Sequence, residues 1–135
     1  MRAPFIGAAL LLALIGSAPA HAQQCGKQQM ETFTQVQFNE CQAAILEDAD
    51  GELNRLYKTQ MSALKDAQKR DALKDAQRKW IAYRDAACFF EVGDGKGWDN
   101  LSIWPMRRDG CLTELTRQRT EQLKALVQCG DDCLL

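Results

Sequence analysis

The chain has a single histidine, His21, and it lies in a stretch that reads as a removable export signal. Met1–Ala22 carries one cation, Arg2, then the apolar run Phe5–Ile15 and a small-x-small ending, Ala20-His21-Ala22. That order is the pattern of a secretory signal peptide, with cleavage expected before Gln23. Without histidine, residues 23–135 cannot run Ser–His or Cys–His catalysis or offer imidazole to a metal. The first apolar run is shorter than the roughly 20 residues a membrane-crossing helix needs, and no second one follows, so no integral membrane segment is expected. An excess of one charge is lacking too. The formal net charge is −1 and falls to −2 once Arg2 leaves, which gives nothing to hold nucleic acid or anionic lipid. Leucine, isoleucine, valine and phenylalanine make up only about a fifth of residues 23–135, close to the composition at which compact folding needs help.

That help is present as six cysteines: Cys25, Cys41, Cys88, Cys111, Cys129 and Cys133. An even number in a short exported chain reads as disulfides and not as metal ligands. Only Cys129-x3-Cys133 approaches the spacing of a zinc pair, and no second pair matches it. Sequence alone does not select among the pairings that six cysteines allow. A bridge closing a loop of about 15 residues contributes roughly 3 kcal/mol, enough to matter in a thin-cored domain. No lipobox precedes Cys25, so the expectation is a soluble periplasmic or secreted protein.

From Gln28 to Ala87 there is one glycine, Gly51, and no proline. Ala, Leu, Gln, Lys, Arg, Glu and Asp dominate, all compatible with helix. Cys41, Ile45, Ala49, Leu53, Leu56, Met61 and Leu64 recur at helical spacing, and no stretch alternates with the period of a strand. The segment Ala63–Lys69 repeats as Ala72–Arg78. Nine residues rotate a helix by about half a turn, so on one unbroken helix Leu64 and Leu73 would face opposite sides. A break near Asp66–Asp71 lets both face one core, with Asp71 the expected N-cap; a single long helix is the alternative. Glu91–Gly110, with Gly93, Gly95, Gly97, Trp98, Trp104 and Pro105, reads as a loop. A last helix is expected over Leu112–Val127, stopped by Gly130. The fold class is therefore all-α: one small disulfide-bonded domain over 23–135, about three helices, with a Gly/Trp-containing loop before the last.

Several suggestive motifs fail on spacing. Asp48-Ala49-Asp50-Gly51-Glu52 would put Leu46 and Tyr57 at the end positions of an EF-hand loop, where acids are required. Gly93-Asp94-Gly95-Lys96-Gly97 lacks the earlier glycine and the following Ser or Thr of a phosphate-binding loop. Asp94 and Asp99 form a carboxylate pair that a glycosidase could use, but acidic pairs in exposed loops are common. No enzyme, metal or cofactor is expected.

The informative constellation is Asn39-Glu40-Cys41, then Asp50-x-x-Leu53-Asn54-x-x-Tyr57, then Gln77-Arg78-x-Trp80-x-x-Tyr83-Arg84-Asp85-x-x-Cys88, then Cys111-Leu112-Thr113-x-Leu115-Thr116-x-x-Arg119. It resembles the LprI family of small exported bacterial domains, named for a lysozyme inhibitor, over about Cys25–Leu126. The resemblance implies a helical envelope protein with Cys25–Cys41 and Cys88–Cys111 bridges; proximity adds Cys129–Cys133. It also implies a partner, lysozyme, the alternative being a structural or accessory protein that binds another envelope component. On the family motif, Trp80, Tyr83 and Ala87 at i, i+3 and i+7 are expected to pack in the core, with Tyr57, Gln77 and Asp85 as further motif positions. Arg84 or Arg119 is expected to form a structural ion pair. If lysozyme is the partner, the segment between Cys88 and Cys111 is the expected binding loop, with Trp98 and Trp104 as aromatic anchors and Asp94 and Asp99 as rim charges; the alternative is that the two tryptophans fold back to cap the small core.

Overall fold

The structure, a computed structural model, describes residues 25, 32–96 and 102–129. Among them stand three helices and no strand, α1 Gln35–Ala63, α2 Ala67–Val92 and α3 Trp104–Cys129, so the protein is all-α. The expected signal segment, Trp98, Asp99, Cys133 and the Cys129 side chain lie outside the described residues.

Each helix starts where a side chain replaces its missing backbone partners. Thr34 caps α1: its hydroxyl accepts from Gln37 N at 3.3 Å, and Gln37 Oε1 accepts from Thr34 N at 2.8 Å. Phe33 and Phe38 close over this capping box with ring centroids 5.6 Å apart, a hydrophobic staple. The chain breaks at Leu64–Asp66, at the leading edge of the expected Asp66–Asp71 stretch, and the cap of α2 is Asp66 and not Asp71. Asp66 Oδ1 accepts from Gln68 N at 2.7 Å and Lys69 N at 3.3 Å. Arg70 then reaches back to the carbonyls of Leu64 and Lys65, both at 2.8 Å. The last helix begins at Trp104, eight residues before the expected Leu112. Pro105, which read as a loop marker, falls in the first turn, where its missing N–H leaves no bond unmade.

α3 is the central element; α1 packs along it most extensively and α2 more sparingly. Leu53, Leu56 and Leu123 form the core, with Tyr57, Leu73, Trp80 and Leu126 packed against it. Ala49, Cys88 and Leu112 are buried as well, and the rest of the described interior is polar. Thr113, Thr116 and Thr120 of α3 are buried together with Gln77 of α2. Each threonine hydroxyl is satisfied: Thr113 donates to Asp109 O at 2.7 Å, Thr120 to Thr116 O at 2.9 Å, and Thr116 meets charged neighbours from both other helices.

Two bridges staple this bundle. Cys25–Cys41, with Cα atoms 5.6 Å apart, ties the leading segment to α1, and Cys88–Cys111, at 5.7 Å, ties α2 to α3. They close 16- and 23-residue separations, a length at which a bridge is worth roughly 3 kcal/mol.

Candidate functional site

The motif residues Asp50, Arg84 and Thr116 meet where the three helices converge. Arg84 Nη1 donates to Asp50 Oδ1 at 2.9 Å and to Thr116 Oγ1 at 3.1 Å, while its Nε donates to Asp85 at 3.0 Å. The guanidinium side chain is only 14% exposed and lies 5.3 Å from the Trp80 ring. Two turns back along α2, buried Gln77 accepts from Arg119 Nε at 3.1 Å, and Arg119 Nη1 donates to Gln122 at 3.1 Å. Burial pushes the Arg119 guanidinium below its ordinary value. These groups bolt the helices together. Their presence explains a departure from expectation: the inward stripe of α2 runs Gln77, Trp80, Arg84, Cys88, and Tyr83, expected in the core, is 61% exposed.

The turn after α2 is built on the bridge. Gly93 ends the helix at φ 81°, and Gly95 follows at φ 71°. A Cβ on Gly95 would stand 2.7 Å from Cε2 of Trp104, so the indole rests directly on the glycine backbone. Trp104 Nε1 donates to Val92 O at 3.1 Å, satisfying a carbonyl at the end of α2, and Arg108 lies 5.9 Å from the ring. Trp104 is thus the half-buried first residue of α3 and not a free loop anchor. Asp94 is likewise engaged. Its carboxylate accepts from Lys96 N and from Lys96 Nζ, both at 3.0 Å, and the backbone bond from Lys96, with the ammonium beside it, holds Asp94 below the usual carboxylate range. Trp98 and Asp99 are outside the described residues. A shallow cleft of about 200 Å³ opens here between Asp85, Phe89, Asp94, Trp104 and Arg108.

On the other side of the Cys88–Cys111 bridge, α2 and α3 border a longer open groove of about 580 Å³. Tyr83 and Phe90 stand along its α2 edge; Phe90 is 91% exposed, and neighbouring Phe89 60%. Sequence reasoning passed over Phe89 and Phe90. The signal was there, since two consecutive phenylalanines beside Cys88 cannot share the inward stripe of one helix.

The comparisons with known proteins bear on the whole domain. The model of the family described as "Lysozyme inhibitor LprI" matches residues 25–123. The chain belongs to the LprI family. It is also 36% identical, over 92% of its own length and 96% of the relative's, to the uncharacterized protein R02472 of Rhizobium meliloti (strain 1021). No solved structure matches it. Within the LprI match lie both described disulfides, the Asp50–Arg84–Thr116 junction and the aromatic groove, so the family's motif residues in this chain are chiefly those that hold the helices together.

Proposed function

We propose that this LprI-family protein is an exported, non-enzymatic inhibitor that binds lysozyme and blocks its cleft. The observation that carries the reading is the LprI match across residues 25–123, nearly the whole helical domain. The chemistry of the chain supports it. Bridged cysteines belong to an oxidising compartment, the periplasm or the outside of the cell, where lysozyme acts. The exposed aromatics of α2 offer rigid contact area of the kind that anchors protein interfaces. The slight negative charge suits an enzyme whose surface is commonly basic, though it steers only weakly at long range. Co-elution of the oxidised mature protein with lysozyme on a sizing column, together with slower clearing of a cell-wall suspension, is the expected result. Separate elution and unchanged clearing at roughly 50 µM, where a complex with Kd of about 10 µM would be mostly formed, would sink the inhibitor reading and point to an accessory envelope role.

A further inference from the structure

We propose that the α2–α3 groove, and not the segment that follows α2, is the face on which a cationic protein surface docks, and that this is how the chain holds lysozyme; the proposal rests on the inhibitor reading above. Tyr83 and Phe90 are seven residues apart on α2, hence about 10 Å along one helix edge. Both are largely exposed, in a molecule that buries few apolar side chains, among them Leu53, Leu56, Leu112 and Leu123. Folding gains little from aromatic rings left in water, whereas an interface gains much from them.

The floor and far wall of the groove supply the complementary half. Leu115 adds an apolar surface, and Glu91 and Glu114 are the only charged groups among its described lining residues. Neither glutamate forms an ion pair among the described residues, unlike Glu52, Asp75 and Asp94, each of which has a lysine within 3.0 Å. Glu91 Oε2 lies 3.4 Å from Cys111 Sγ; a bridged sulfur has no proton to give, so that carboxylate keeps its acceptor capacity. Glu114 Oε1 accepts from Gln118 Nε2 at 2.9 Å, a neutral donor that leaves its charge uncompensated. A ring edge whose carboxylates have no ion-pair partner among the described residues is suited to arginine or lysine side chains, which can pair with the acids and stack on the rings. The same charge repels nucleic acid and anionic lipid. An open furrow of this shape would leave a small ligand mostly in water but accepts the convex face of a protein. The Cys88–Cys111 bridge fixes the two walls before binding, which reduces the ordering cost of association.

The test uses the oxidised mature protein with lysozyme as the probe, in titration calorimetry and in the inhibition assay. Phe90→Ala and Tyr83→Ala are surface changes and should leave the circular dichroism spectrum intact. Each should weaken binding roughly 10- to 100-fold, while Trp98→Ala binds like wild type. The double variant Glu91→Lys/Glu114→Lys should slow association and flatten its salt dependence. Wild-type protein that binds while all groove variants bind equally well overturns the proposed face and leaves the inhibitor reading standing. Loss of binding on Trp98→Ala alone does the same and moves the contact to the segment after α2. Wild type that binds no lysozyme overturns both, and if sedimentation then shows a dimer that Phe90→Ala dissociates, the occupant is a second copy of this chain.

Discussion

Arg84 decides more than any other single residue. It bonds to Asp50 of α1 and Thr116 of α3 while its own stem rises from α2, so one side chain sets the mutual placement of all three helices. Arg84→Ala leaves Asp50 without its cation and Thr116 without a donor. Hydrogen bonds to charged groups contribute about 1.5–3 kcal/mol, and Asp50 is open enough to water that the loss should fall within that range. Denaturant melts should show that loss, and any fall in inhibition should track the unfolded fraction. Asp109 works in the opposite sense. Burial raises its carboxyl above the ordinary 3.8, and the Arg108 pair at 3.0 Å offsets this only in part. A raised folded value means that the protonated acid is favoured by folding, so this contribution is present at pH below about 4 and lost as pH rises through the folded value. Asp109→Asn should therefore raise the melting temperature at pH 7 and have little effect near pH 3. A fall at pH 7 would mean that the ion pair outweighs burial.

Among the elements, the caps show what could be read in advance. Asp66 and Asp71 each precede helix-forming residues, and apolar spacing alone does not choose between them. The structure chooses Asp66 because Arg70, one turn on, can reach back and bond the last carbonyls of the preceding turn. Asp66→Ala should cost about 1 kcal/mol, read as a lowered urea midpoint, and Asp71→Ala in the exposed second turn should cost much less. Equal losses would contradict the assigned cap. The break itself was legible because the nine-residue repeat turns Leu64 against Leu73. The start of α3 was not, because Pro105 and Gly110 both read as breakers. One is harmless in a first turn, and at the other an added Cβ would stand 4.0 Å from Cδ of Gln42. Apolar periodicity failed most clearly at Tyr83, whereas an ion pair does form at Arg84. It assigns the tyrosine to the core, whereas Asp50 and Thr116 draw the neighbouring arginine inward and Tyr83 is left on the outside.

For the whole molecule, cysteine usage and helix-forming composition led to the disulfide-bonded all-α class, and the family resemblance led to the two bridges now described. The binding face was less legible. Tryptophans between glycines suggested an anchor loop, but Trp104 is occupied by Gly95 and Val92, and Asp94 by Lys96. What remains outward is an aromatic and acidic edge on folded helices, visible only once Arg84 and Cys88 have fixed which side of α2 faces in. The central claim is that this domain stops lysozyme by stoichiometric binding without chemistry of its own. The most direct measurement is the lytic rate at a fixed lysozyme concentration well above Kd, as oxidised protein is added. The rate should fall linearly to near zero and break at an equimolar point that does not drift with incubation time. A rate that stays flat past several equivalents, or that decays with time as a catalyst would make it, would contradict the account.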